Sequence, residues 1–119
     1  MEESEIIEGN KLIAVFMGMK IKGDWVVLGG GSEYVVTNLK YHSSWDQLMP
    51  VAEKISEDYD FSISSVGLWV CYISRKDSDF EDKHLGDMGG HEPVIVNAFK
   101  AIVQFIKWYN LQPKHKNNV

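Results

Sequence analysis

The chain is poor in the residues that cross-link or interrupt a polypeptide. It has one cysteine and three prolines among 119 residues. A single cysteine excludes an internal disulfide and a cysteine-rich zinc cluster. Residues 1–8 are acidic and lack the basic start and apolar run of a secretory signal. Together with Cys71 inside an apolar stretch, these absences predict a location in the reducing cytoplasm.

Basic charge and long apolar runs are also scarce. The chain carries 12 Lys and Arg against 17 Asp and Glu, a net charge of −5. A net acidic chain repels phosphate backbones, so nucleic acid is an unlikely partner. The most apolar stretch, 94–109, is interrupted by four polar residues and makes a poor membrane span. The sequence therefore favours a protein partner or a homo-oligomer, and no membrane.

The chain does have enough apolar and aromatic residues to build a core. Hydrophobic residues make up 45% and aromatic residues 12% of it, including four tryptophans. A chain of this length forms one domain. We expect a single compact domain over 1–119, with a polar tail from about residue 111.

Hydrophobic periodicity predicts an α+β fold. Apolar residues at helical spacing predict helices near 3–17, 44–57 and 93–110. Alternation around Gly23-Asp24 predicts a hairpin over 19–28. Further strands are expected within 61–74, as either a hairpin or one bulged strand, and a loop over 75–90. We expect the strands to form a small antiparallel sheet packed against the three helices.

Five residues indicate where the helices begin, end or bend. Asn10 is a candidate N-cap of the first helix, and Gly18 is placed to end it in a left-handed conformation. Ser43 or Ser44 is placed to cap the second helix. Pro50 lacks an amide proton, so we expect a kink or a restart there.

Two candidate reactive sites stand out. His42 has the chemistry of a general base and Asp46 that of its orienting partner. The competing interpretation is that this segment only caps and packs the second helix. His84, Asp87 and His91 have side chains that bind zinc or manganese, but they fall in the expected loop. The sequence leaves enzymatic activity open while favouring its absence, and it predicts no cofactor.

Four aromatic residues are candidates for a binding surface, because aromatic side chains are enriched at interfaces. They are Trp25, Tyr34, Tyr41 and Trp45. Trp25, which precedes a glycine-rich stretch, is the one least explained by packing. An alternative interpretation has Trp25 and Tyr34 stacking bases beside nearby lysines.

Three blocks carry a family resemblance: LIAVFMG at 12–18, LKYHSSWDQLMPVAEKI at 39–55 and FIKWYN at 105–110. On these blocks the chain resembles a family of small uncharacterised proteins of Bacteroidetes phages and prophages. Many relatives carry a second tryptophan where this chain has Gln47. The resemblance implies a phage or mobile-element setting but no reaction, and it marks Tyr41–Pro50 as the segment of most interest.

Three functions follow, in order of preference. The first is a non-enzymatic binding module of phage or mobile-element origin. The second is a small metal-dependent or general-base enzyme that uses His42 and Asp46 or the 84–91 cluster. The third is a phage accessory protein that handles nucleic acid.

Overall fold

The computed structural model describes residues 1–27, 33–65, 69–75, 86–90 and 92–112. They confirm the α+β class and the three helices. In chain order the elements are α1 (Glu3–Phe16), β1 (Lys20–Lys22), β2 (Trp25–Val27), β3 (Glu33–Val35), a 3₁₀ turn (Val36–Asn38), α2 (Trp45–Ser56), β4 (Tyr59–Ser65), β5 (Trp69–Arg75), β6 (Gly86–Gly90) and α3 (Val94–Asn110).

The strands form two antiparallel sheets of three strands each, in the orders β1-β2-β3 and β4-β5-β6. The expected hairpin and the expected strands within 61–74 therefore lie in different sheets rather than in one. The hairpin extends its sheet with β3, where Val35 pairs with Trp25. The second sheet is built on β5, which pairs with both of its neighbours.

Strands β4 and β5 settle the two interpretations left open for 61–74. They pair from Tyr59 opposite Arg75 to Ser65 opposite Trp69, so the segment is a hairpin and not one bulged strand. The loop expected over 75–90 is wrong at its end, since 86–90 forms β6. Its glycines disfavour a strand, but pairing with β5, for example Cys71 with Met88, supplies the backbone hydrogen bonds.

Two glycines adopt the left-handed backbone that their positions require. Gly18 ends α1 with φ +94°. The Met19 N–H then donates to the Ala14 carbonyl at 3.0 Å, the hydrogen bond of a Schellman motif. Gly23 has φ +58° in the two-residue turn between β1 and β2. Both predictions are confirmed.

The predicted helix starts need three corrections. Asn10 is not an N-cap, because α1 begins at Glu3 and Asn10 lies buried in its interior. Ser44 does occupy the N-cap of α2, but its side chain makes no capping hydrogen bond. Helix α2 runs through Pro50 without the expected restart. The ring removes one amide donor, and burial of Leu48 and Val51 on either side holds the helix together.

Helix α3 is the centre of the core. It packs on β5 and β6 on one side and on α1 on another. Its buried residues extend around more than half of its circumference, which a helix covered on one side does not show. They are Asn97, Ala98, Phe99, Ala101, Ile102, Phe105 and Ile106. Cys71 and Ile73 of β5 are also fully buried, in the same core cluster.

Gly9 is where α1 and α3 come closest. A Cβ atom built on Gly9 would lie 2.6 Å from Phe99 Cζ and 3.0 Å from Val103 Cγ2. Phe99 is only 1% exposed, so its ring has little room to move. Glycine is therefore required at this position for packing, although it lowers helix propensity.

Aromatic rings join the far ends of α1 and α3. Phe16 meets Phe105 and Tyr109 edge to face, with ring centroids 6.2 and 5.5 Å apart. Tyr59 of β4 packs on Phe105 at 4.8 Å. From α2, the Lys54 ammonium donates to the Phe16 carbonyl at 2.5 Å and so satisfies the negative end of α1.

Replacing Gly9 by alanine should destabilise the protein. Alanine normally stabilises a helix by about 1 kcal/mol over glycine, but overpacking costs about 1–3 kcal/mol. The difference is a fall of up to about 2 kcal/mol in the free energy of unfolding in urea. The exposed Ser4→Ala substitution in the same helix should change it little. A Gly9→Ala protein more stable than the parent would contradict the close approach of the helices.

Candidate functional site

The segment between the 3₁₀ turn and α2 is tied to α1 by one buried side chain. Asn10 is 2% exposed. Its Nδ2 donates to the Leu39 carbonyl at 3.1 Å and lies 3.2 Å from His42 Nδ1. A carbonyl only accepts hydrogen bonds, so the amide nitrogen of Asn10 has to face Leu39. The orientation of the Asn10 amide is thereby fixed.

This orientation determines the proton on His42. The second N–H of the Asn10 amide points to Nδ1, which must accept it and is therefore unprotonated. The ring is then neutral, with its proton on Nε2. Burial, followed by the nearby charge of Lys40, lowers the pKa of His42 below its ordinary value. The Phe99 ring packs edge to face on the imidazole at 6.0 Å and adds to the apolar surroundings.

The hydrogen-bonding capacity of Asn10 is incompletely used. Its Oδ1 is buried and has no hydrogen-bond partner in the part of the chain that the structure describes. An unpaired buried acceptor costs about 1–3 kcal/mol. Asn10 therefore makes its contacts to Leu39 and His42 through Nδ2 while its Oδ1 stays buried without a hydrogen bond.

The turn before α2 is closed by a side chain from inside the helix. The Lys40 N–H donates to Gln47 Oε1 at 2.8 Å. Backbone bonds from Ser43 and Ser44 to the Lys40 carbonyl, at 3.0 and 2.8 Å, close the same turn. Gln47 thus organises the segment with a hydrogen bond to its backbone.

A shallow groove of about 390 Å³ lies on the other side of this segment. Met17 and Met19 from the end of α1 line it, together with Tyr41. Asp46 and Pro50 line it from α2. Asp46 is exposed in the first turn of α2, where a carboxylate is stabilised by the helix dipole.

The two candidate catalytic residues are not brought together. Within the described ranges, no hydrogen bond or ion pair joins His42 to Asp46; the contact that His42 Nδ1 makes is with Asn10. Asp46 lies on the groove side of the turn, in the first turn of α2. Without an orienting carboxylate, His42 lacks the arrangement of a base and its partner.

The proposed metal ligands are largely beyond what the structure describes. His84 and His91 lie outside the described residues. Asp87 lies in β6 opposite Tyr72, and its side chain is not among those described. Elsewhere in the described chain, no group of three or more His, Cys, Asp or Glu side chains is placed to hold a metal.

The four aromatic candidates have different environments. Tyr41 is 5% exposed and belongs to the core. Trp45 is half-buried and packs against the core, as expected for a residue at the start of α2. Tyr34 pairs with Val26 across the β2-β3 ladder, and its side chain is not described. Trp25 is 48% exposed, which confirms that packing does not account for it.

The residues missed by sequence reasoning are Gly9 and Asn10. Both residues have low helix propensity, so this pattern was interpreted as a helix that begins at Asn10. The available signal was that both fall on the apolar side of α1, next to Ile6 and Ile13. A buried polar residue on such a side needs a partner from another segment.

Comparisons of the chain with protein-family models, with curated proteins and with solved structures find no match. The resemblance to phage-associated proteins therefore stays a prediction. Within the described ranges, no helix is both long enough and apolar enough to cross a bilayer. The function has to be argued from the residues themselves.

Removing the Asn10 amide should destabilise the fold. Asn10→Ala leaves the Leu39 carbonyl and His42 Nδ1 without their donor, and it also removes the unpaired Oδ1. Two lost partners less one relieved penalty leave a net cost of about 1–3 kcal/mol. Urea unfolding should show a loss of that size. The exposed Asn38→Ala substitution, in the adjoining 3₁₀ turn, is the control and should have little effect. Equal stability of Asn10→Ala and the parent would show that the contact is not needed.

Protonation of His42 should weaken the protein. Because the folded-state pKa of His42 is lowered, the unfolded chain binds the proton at higher pH than the folded one. Stability should therefore fall as the pH drops through about 6.5 and below. His42→Asn keeps an acceptor near the Nδ1 position without titrating.

The measurement is the free energy of unfolding at about pH 7.5 and about pH 5.5 for both proteins. The difference between their pH slopes isolates His42, since the other three histidines are common to both. The parent should lose more stability than His42→Asn on acidification. Parallel slopes would rule out a buried, neutral His42.

Proposed function

We propose that the protein is a non-enzymatic binding module that docks an acidic segment of a partner protein on the β1-β2-β3 sheet. The exposure of Trp25 is the observation that carries this proposal. Nearly half of a tryptophan side chain lies open to solvent in the middle strand of the sheet. Large aromatic residues dominate the binding energy of interfaces.

The register of the sheet defines what surrounds Trp25. Lys22 lies directly opposite it on β1, and Val35 lies opposite it on β3. Side chains alternate along a strand, so Trp25 and fully buried Val26 point to opposite faces. The outer face therefore carries Trp25, the half-buried Val35 and the exposed Lys22 side by side.

The charges on this face favour an acidic protein segment. Lys20 and Lys22 are both exposed and share the face of Trp25, because they are two residues apart on β1. Glu33 pairs with Val27 at the far end of the same face. An apolar partner side chain would cover Trp25 while partner carboxylates pair with the two lysines.

Nucleic acid is the second candidate, because Trp25 beside lysines is also a stacking surface. Glu33 on the same face and the net charge of −5 oppose it. A phosphate backbone is more densely charged than an acidic peptide. Glu33 and the net negative charge of the chain therefore repel nucleic acid more strongly than they repel the peptide. We therefore favour the protein partner.

The surroundings of His42 and Asp46 support a non-enzymatic role. His42 Nδ1 is occupied by Asn10, and Gln47 closes the turn beside Asp46. The polar atoms of this segment thus serve the fold. By the family resemblance, we place the partner among phage or host proteins, and buried Cys71 fits a cytoplasmic setting.

The proposal predicts that a short glutamate-rich peptide with a central leucine shifts the Trp25 indole resonance of the labelled protein at low salt. Trp25→Ala and Lys20→Glu/Lys22→Glu should each abolish binding. The control is Lys11→Glu/Lys40→Glu, which removes two lysines from elsewhere on the chain.

Two outcomes would overturn this function. A peptide that leaves the Trp25 resonance unchanged at every concentration contradicts it. Shifts produced by an oligo-thymidine strand but not by the peptide would replace it with the nucleic-acid function.

A further inference from the structure

A groove of about 290 Å³ runs between α1 and α3, away from the Trp25 surface. Gly9 and Leu12 of α1 and Val103 of α3 form its apolar part. Gly9 has no side chain, and Phe99 and Val103 of α3 lie close to its Cα, so the two helices pack tightly at this point of the groove. It is open to solvent along its length.

The two walls of the groove carry opposite charges. Glu5 and Glu8 line it from α1, and Lys100 and Lys107 line it from α3. No ion pair crosses the groove in the described part of the chain. Lys100 instead pairs with Glu92 at 2.6 Å, which leaves two of its three donors unused by that bond.

Helices α1 and α3 run parallel, with a constant offset in residue number between the positions that face each other. Gly9 lies against Phe99 and Val103, and Phe16 lies against Phe105 and Tyr109. Positions along α1 therefore correspond to positions about ninety residues later on α3. Val15 near the end of α1 and Leu111 just after α3 are also exposed, to 54% and 67%.

We propose that this face binds a second copy of the chain around a two-fold axis parallel to the groove. Such an axis exchanges the two walls and keeps every residue at its own level. The acidic wall of one copy then faces the basic wall of the other, and Glu8 lies at the same level as Lys100.

Charge complementarity is the reason for choosing a second copy. The face contains two carboxylates and two ammonium groups, so it is neutral although the chain carries −5. Two acidic proteins repel one another through most orientations. This face lets them approach with opposite charges paired. A wholly acidic or wholly basic partner would satisfy only one wall.

The test is sedimentation equilibrium of the full chain over a wide range of concentrations. We expect a reversible dimer for the parent. The variant Glu5→Lys/Glu8→Lys makes both walls basic, and the variant Lys100→Glu/Lys107→Glu makes both walls acidic. Each variant alone should dimerise about tenfold more weakly or worse, because the exchange affects both contact lines.

Mixing the two variants is the decisive measurement. One then has two basic walls and the other two acidic walls, so the mixture should recover a dimer that neither forms alone. The control is Glu53→Lys/Asp60→Lys, which makes the same change in net charge on exposed positions of α2 and β4. It should not weaken the dimer.

The proposal fails if the parent is monomeric at every concentration, if either wall variant dimerises as the parent does, or if mixing restores nothing. Circular dichroism of each variant separates a lost contact from a lost fold. Trp25→Ala should leave the dimer unchanged. Dimerisation and peptide binding at Trp25 are therefore tested independently of each other.

Discussion

The buried amide of Asn10 is the contact that fixes α1 against the segment between the 3₁₀ turn and α2. It reaches from α1, which packs on α3, to the Leu39 carbonyl and the His42 ring. Those residues lie between the β1-β2-β3 sheet and α2. This side chain thus adds hydrogen bonds to a connection that Val26, Val36 and Leu39 also make by burial in the common core. The contact lowers stability in one respect, because it leaves Asn10 Oδ1 buried without a hydrogen bond.

The close approach of α1 to α3 places Asn10 where it can act. Gly9 lets the helices come together, and the next residue then points at the neighbouring segment. Together with β5 and β6, α1 buries most of α3 and leaves Lys100 half-buried and Lys107 exposed beside the groove. Packing inside the molecule therefore decides which surface remains for a partner.

The local sequence pattern was sufficient to predict elements whose structure depends on residues close together in the chain. The apolar period of α3, the Gly23 turn and the end of α1 at Gly18 were all predictable. Long-range contacts were not: β6 is a strand because β5 pairs with it, and α2 continues through Pro50 because Leu48 and Val51 are buried in the core. The pairing of His42 with Asn10, 32 positions apart, has no local signature, whereas the exposure of Trp25 was expected.

The non-enzymatic interpretation of the 39–47 segment depends on His42 and Gln47 being committed to structure. Its central claim is that Asn10 donates to His42 Nδ1, which leaves the imidazole neutral and without a carboxylate partner. Nitrogen NMR of the His42 ring near neutral pH tests this directly. The account predicts an unprotonated Nδ1 and a protonated Nε2. A proton on Nδ1, or a doubly protonated ring, would contradict it.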